Sequence, residues 1–410
     1  MAPTRDDCLK LDARDPLARV RERFVMPDGI IYLDGNSLGA TPKAVIENSR
    51  RVVEQEWAQG LIRSWNEAGW YTAPARVGAK IARLIGAKSD EVVVTDSTSV
   101  DLFKLLAGAL NLRPGRTTIL GVEADFPTDA YIAQGTAAYT GAHFKRATAE
   151  NLVAAIDDSV AVVLLTHVNY KTGQIHDMAR VTAAAHAKGA LMLWDLSHSA
   201  GALKLDLNAA NADLGVGCGY KFLNGGPGAP AYVFVAERHQ PKFRHPLTGW
   251  FGHKAPFDFA PDFVAAEGIA KLLTGTPPML SLAALDAALD VFGDLDMQMV
   301  RDKAASLGEL FIALADERLI RHGFTLASPR SAAERGAQVS LSHPESYAIV
   351  QALIARGVIG DFRAPDIARF GLVPLYVRHV DVFDAVQAID DAMATKAWNT
   401  PEFRTRKTVT

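Results

Sequence analysis

From about residue 90 to 235, short β-branched runs alternate with helical stretches, and this alternation restricts the fold more than any other feature of the chain. "DEVVVT" leads into "SVDLFKLLAGALN", and "TTILGV" into "EADFPTDAYIAQGTAA". "SVAVVLLTHVN" is followed by the alanine-rich "ARVTAAAHAKGA" and then by "LMLWDLSHSAG". The strand-like runs are apolar at nearly every position rather than at alternate ones. Strands of that kind are covered on both faces, so the pattern predicts an α/β fold with a mostly parallel central sheet. In such sheets ligands bind beyond the carboxyl ends of the strands.

A chain of 410 residues exceeds what one hydrophobic core usually holds. Residues 265–295 read as two helices broken by "TGTPP". A long helical stretch then precedes "AQVSLS", "SYAIVQALIARGV" and "ARFGLVPLYV", a tail suited to a smaller α/β domain. The expected organisation is an N-terminal segment (1–45) contributing to the small domain, a large domain (46–292) and a C-terminal small domain (293–410).

The formal net charge is −3 and no polybasic run occurs, which argues against nucleic acid or an anionic membrane as partner. No stretch approaches the ~18 apolar residues of a membrane span. Cys8 and Cys218 are the only cysteines, and the N-terminus lacks an apolar signal core; both point to a reducing, cytoplasmic setting. Eleven histidines occur without HExxH or CxxC spacing, so no metal site is expected.

Chemistry is concentrated at the predicted strand ends. Asp195 closes "LMLWD", His198 follows, and Lys221 comes 26 residues after Asp195 within "GCGYKFLNGGPGAP". A lysine amine and an aspartate at neighbouring strand ends are what pyridoxal 5'-phosphate needs. The amine forms a Schiff base with the aldehyde, and the carboxylate keeps the pyridine nitrogen protonated. Alone, either residue reads equally as a cap or a turn. Gly217 and Gly219 are expected to let the backbone approach a bulky ring, and Gly225, Gly226 and Gly228 to make the turn after it. Ser97, Thr98 and Ser99 stand where "VVVT" turns into a helix, either as a simple N-cap or as a seat for a phosphate dianion. "DFPTDAY" offers Phe126 for stacking on a flat ring, or an ordinary proline turn.

Taken in order, "YLDGNSLGA", "FPTDAY", "THVNYKTGQI", "WDLSHSAGAL", "GCGYKFLNGGPGAP", "GWFGH", "LTGTPPMLSL" and "RFGLVPLYV" resemble the kynureninases, members of the fold type I, aspartate-aminotransferase-like class of pyridoxal-phosphate enzymes. The resemblance implies hydrolysis of L-kynurenine, or its 3-hydroxy form, to anthranilate or 3-hydroxyanthranilate and L-alanine, a step of tryptophan breakdown. It makes Lys221 the Schiff-base lysine and Cα base, Asp195 the partner of the ring nitrogen, and His198 its neighbour. It sets Thr98, Ser99, Asp129 and Tyr220 around the phosphate or ring edge, with Phe126, Pro127 and Thr128 in the turn that faces the ring and Thr166 as a further hydroxyl contact. Tyr220 is also the expected proton donor to the product carbon. Trp250 and Thr276 are implied to reach the cofactor from the partner subunit of a homodimer, although the family often carries Asn at the position of Thr276. Arg369 corresponds to the arginine that grips the substrate α-carboxylate, with Arg363 as competitor. Trp65 and Asn36 either line the aromatic end of the substrate pocket or serve packing and a turn.

Within the same fold, a cysteine desulfurase would need a mobile nucleophilic cysteine, and neither Cys8 nor Cys218 suits. Nothing local excludes an aminotransferase. A nicotinamide dehydrogenase is disfavoured because the first strand is followed by "TDSTSVD" rather than GxGxxG. A non-catalytic relative would have no use for Lys221, Asp195 and Arg369 together.

Overall fold

The computed structural model describes residues 3–407. The short strand β1 (Ile31–Tyr32) precedes the main sheet, built from β2 (Val92–Thr95), β3 (Thr118–Val122), β4 (His143–Ala147), β5 (Val160–Thr166), β6 (Leu191–Asp195), β7 (Leu214–Cys218) and β8 (Ala231–Val235). Their spatial order is β2-β8-β7-β6-β5-β3-β4. Only β8 runs against its neighbours, β2 and β7; every other pairing is parallel. This is the α/β fold with a mostly parallel central sheet that the alternation predicts.

The apolar strands are buried on both faces, as their composition requires. Val93, Leu191 and Leu193 join Leu102, Leu105 and Ala133 of the helices Thr98–Leu112 and Pro127–Thr140 on one side. Val92, Val94, Met192 and Trp194 point the other way, into a core shared with Ile81 of the helix Ala73–Ile85. Edge strand β4, "HFKRA", is the exception: all but Ala147 are at least partly exposed, and its polar sequence gives no strand signal.

A second, antiparallel sheet comprises β9 (Thr325–Leu326), β10 (Gln338–Ser342), β12 (Asp361–Arg363) and β13 (Ile367–Gly371), in the order β12-β13-β10-β9. Between them, β11 (Val358–Ile359) pairs in parallel with β1. The N-terminal helix Arg5–Ala13 is tied to the helix His379–Ala394 by Arg5–Asp384 and His379–Asp12 ion pairs of 2.8 and 2.9 Å. One expected element differs: of the two helices read over 265–295, the first is a five-residue 3-10 turn, Gly268–Leu272, and only Met279–Leu289 is α-helical. Gly268 sits at φ +62°, where the chain must bend rather than coil.

Candidate active site

Because β2, β3, β5, β6 and β7 run in one direction, the loops that follow them open at one edge of the sheet. There Lys221 is buried, with its Nζ 3.1 Å from Nε2 of buried His198. The same Nζ lies 5.5 Å from the centre of the Phe126 ring and 5.9 Å from that of Tyr220. Burial, reinforced by the Lys221 charge, holds His198 well below the usual imidazole range, so its ring is neutral and accepts from the amine. The loop is clasped from the N-terminal side, where the Gly39 N–H donates to the Tyr220 carbonyl at 2.8 Å.

The glycines around the lysine divide differently from expectation. A Cβ on Gly217 would fall 2.4 Å from the Tyr232 hydroxyl, and one on Gly219 would fall 2.5 Å from the Pro230 carbonyl oxygen. The space they leave is therefore filled by the chain itself. Gly226 and Gly228 do make the turn, at φ +84° and +74°, whereas Gly225 is not left-handed and packs against Gly219.

Asp195 ends β6 in register with Thr166 of β5 and Val216 of β7. Its Oδ1 accepts from the Ser197 N–H at 2.8 Å. Asp129, in the first turn of the helix Pro127–Thr140, is buried with neither carboxyl oxygen partnered by protein. Burial pushes Asp129 well above the carboxylate range, and the nearby Asp195 and Asp125 charges add to this. Sequence reasoning missed Asp125. Its Oδ2 accepts the Thr166 N–H at 2.8 Å, its Oδ1 accepts the Phe126 N–H at 3.0 Å, and the Thr166 hydroxyl donates to it as well. The available signal was its place just beyond a strand end, the same signal that marks Asp195.

Three carboxyl groups converge near one amine, so the pocket is short of hydrogen-bond donors and positive charge. A protonated pyridine nitrogen would supply both if Asp195 held it, and Phe126 would offer the ring a flat face. Its phosphate would find free donors at the start of the helix Thr98–Leu112, where the first N–H groups have no intrahelical partner and the Ser97 hydroxyl receives only the Val100 N–H, at 3.5 Å. The residues present fit pyridoxal phosphate. Tyr220 lies beside them, its phenol pushed up by burial and then by Cys218 and Asp195.

The small sheet brings Arg369 to this pocket. Its Nη1 donates to the Tyr170 carbonyl at 2.6 Å, and the Tyr170 ring meets Phe126 edge-on at 5.3 Å. Nε of Arg369 donates to Asp361 Oδ1 at 2.9 Å, and Nη2 donates to Asp361 Oδ2 and to the Ser37 hydroxyl. Arg363, about a third exposed at 32%, contacts the same Asp361 at 2.6 Å. Asn36 is buried nearby, donating to Gln338 at 3.4 Å with its own oxygen unpartnered.

Trp65, Trp250 and Thr276 form a separate group. With Ile62, Asn66, Tyr71 and Phe257 they line an open cavity of about 650 Å³, and none of the residues around Lys221 is among its walls. Thr128 is half-buried and Pro127 exposed at the rim of the helix that carries Asp129.

The fold is shared with solved cysteine desulfurases and with a C-DES enzyme. The chain superposes on the cysteine desulfurase CsdA from Escherichia coli with a TM-score of 0.76 at 21% identity, covering 92% of this chain and 98% of that one. A cysteine desulfurase from Thermococcus onnurineus NA1 gives 0.78 at 20% identity, over 96% and 100%. A C-DES mutant with glycine covalently linked to its PLP cofactor gives 0.77 at 18%, over 90% and 99%. Sequence similarity is more specific. The profile of the kynureninase C-terminal domain matches residues 300–389. A kynureninase of Burkholderia mallei (strain SAVP1) is 50% identical over 414 aligned positions, 99% of this chain and all of that protein, and one from Pseudomonas fluorescens is 49% identical over the same span. Identity at half of all positions, sustained from end to end of both chains, separates this protein from the desulfurases that share its architecture: the chain belongs to the kynureninase family.

Proposed function

We propose that this chain hydrolyses L-kynurenine to anthranilate and L-alanine, with pyridoxal phosphate as cofactor. The observation that carries the reading is the seat of Lys221: a buried amine against neutral His198 and the Phe126 face, beside the carboxyls at the end of β6. When bound, the cofactor supplies an aldehyde that links to amines and a ring that withdraws electrons from the substrate Cα.

The chain's own groups do the rest. Asp195, held by the Ser197 N–H, keeps a proton on the ring nitrogen. Asp129, neutral because of its burial, adds a donor beside Asp195 instead of a second competing charge. Lys221 takes the Cα proton and hands it on, and His198 holds the amine in line without competing for positive charge. The start of the helix Thr98–Leu112 receives the phosphate through Thr98 and Ser99. Phe126 stacks on the ring, with Pro127 and Thr128 in its turn, and Thr166 offers its hydroxyl at the next strand end. Arg369 holds the substrate α-carboxylate and so aims the Cα–H bond at Lys221. Water adds at the γ-carbonyl, the Cβ–Cγ bond breaks, and anthranilate leaves; Tyr220, kept protonated by burial, gives the proton that completes the alanine methyl group.

The reading includes a homodimer. Ile62 is 77% exposed and Phe257 59%, around a cavity with aromatic walls, a surface suited to burial against a second copy. In that arrangement Trp250 and Thr276 reach the partner's cofactor, and Trp65 and Asn36 border the aromatic end of the substrate. Two buried, unpaired cysteines suit the cytoplasm. The test is to incubate the purified, cofactor-loaded protein with L-kynurenine and, separately, 3-hydroxykynurenine and follow anthranilate release. Release of sulfide from cysteine, or of glutamate in a transamination assay, without anthranilate would replace this reading by the desulfurase or the aminotransferase.

A further inference from the structure

Arg369 does not wait with an open fork. Of its five N–H groups, two are taken by Asp361, one by Ser37 and one by the Tyr170 carbonyl. Asp361 is also gripped by Arg363 and accepts the Ser37 hydroxyl at 2.8 Å. A second carboxyl, Asp34, is brought to the same place by the loop after β1. Leu33, its neighbour, is bonded to the Ile359 and Gly371 backbone at 2.7 and 2.6 Å, the Asp34 carbonyl accepts the N–H of the same Ser37 whose hydroxyl donates to Asp361, and the Asp34 Oδ1 is buried with no partner. The groups that face Asp34 are Asp361 and Arg363 from β12, Arg369 from β13, Tyr32 from β1 and Tyr376 from the segment after β13.

Two carboxyl groups brought together out of water repel each other when both are ionised, and a proton held by one of them relieves that repulsion. With that proton, the two arginines outnumber the single remaining anion and the pocket carries one net positive charge. Without it the pocket is neutral, and an arriving carboxylate meets two anions and two cations. We propose that Asp34 and Asp361 share a proton on which binding of the substrate α-carboxylate at Arg369 depends. This rests on the reading of Arg369 as the carboxylate-holding residue and makes Asp34 and Asp361 positioning residues. The direction of the linkage is fixed: a bound carboxylate adds negative charge beside Asp34, tightens its hold on the proton, and draws one from solvent wherever the empty pocket has lost it. Burial, then the Asp361 charge, pushes the Asp34 carboxyl up to about 7, so the linkage falls in the neutral range.

The experiment is calorimetric titration of the holoenzyme with L-alanine at pH 8, in two buffers of different ionisation enthalpy, with ethylamine as the ligand lacking a carboxylate. L-Alanine is expected to take up about one proton more than ethylamine does. Asp34→Asn and Asp361→Asn are each expected to abolish that difference. For L-kynurenine, the wild-type KM is expected to climb about tenfold per pH unit above neutrality while kcat does not follow it, and the climb is expected to vanish in Asp34→Asn. Equal proton uptake for the two ligands in the wild type, or an unchanged climb in Asp34→Asn, overturns the proposal. A protein that releases anthranilate with no extra proton taken up loses the shared proton and keeps its hydrolase reading. One that shows the uptake but releases no anthranilate keeps the pocket chemistry and loses the hydrolase.

Discussion

Asp125 holds Thr166 by both its backbone N–H and its hydroxyl, and so fastens the end of β5 to the loop that presents Phe126 and Asp129. A third bond, from the Phe126 N–H at 3.0 Å, fixes the loop itself. One carboxylate thus sets the spacing between the Phe126 ring and the Thr166 hydroxyl at the neighbouring strand end.

Asp125→Ala leaves the Thr166 and Phe126 N–H groups without their acceptor. A loss of about 2–4 kcal/mol in unfolding free energy is expected, with weaker cofactor retention. Denaturant titration of the apoprotein and absorbance during dialysis of the holoenzyme measure the two effects. Asp125→Asn, which keeps an acceptor oxygen, is expected to recover part of both.

Lys221→Ala is expected to lower turnover of L-kynurenine by about a thousandfold or more, and to leave no label after borohydride reduction of the loaded protein. Mass spectrometry of the wild-type digest is expected to place that label on the peptide containing Lys221. A label elsewhere would remove the central assignment.

Arg369→Lys replaces a planar fork by a point charge and is expected to raise KM for L-kynurenine by about a hundredfold. Arg363→Lys, at the more exposed arginine, is expected to change KM by less than about tenfold. Steady-state kinetics on the two variants decide between them.

Asp213 is the polar anchor at the far end of β7, bonded to His186 and His239 at 2.7 Å each and to Arg238 and the Met192 N–H at 2.8 Å each. Burial pushes its carboxyl up, but the hydrogen bonds from His186 and His239 outweigh it and hold the group below its ordinary range. A depressed pKa in the folded state gives stability that is present above the unfolded carboxyl's pKa of about 4 and lost as pH falls below it. Asp213→Asn is therefore expected to destabilise the protein by about 2–4 kcal/mol at pH 7, with the gap to wild type closing toward pH 3. Thermal unfolding across that pH range tests the sign.

Phe257→Asp places a charge in the wall of the aromatic cavity beside Trp250 and Tyr71. Sedimentation is expected to show a dimer for the wild type and a shift toward monomer for the variant, and the proposed reach of Trp250 and Thr276 into a partner's site predicts that kcat falls in parallel.

Much of this organisation was legible in the residues. Strands apolar at every position, such as "LMLWD", announce a doubly covered sheet, and the polar residues that end them mark its functional edge. What escaped depends on pairings that only folding creates. β4 is an edge strand with a polar sequence, so periodicity says nothing of it. Asp361 meets Arg369 because β12 and β13 pair antiparallel with these two residues opposite each other, a register that no local motif encodes. Asp34 reaches them from more than 300 residues away because β1 pairs with β11. The short turn Gly268–Leu272 looked helical from its apolar content, which burial of Ile269 and Leu272 explains equally well.

The parallel pairing of β1 with β11 also carries a message about timing. Ser37 precedes Lys221, Asp195 and the start of the helix Thr98–Leu112 along the chain, yet its partners Asp361 and Arg369 are translated after all of them. In a growing polypeptide the contact of Ser37 with Asp361 and Arg369 therefore closes only after every residue around Lys221 has been made. A chain stopped near residue 355 would lack both partners of the Ser37 hydroxyl.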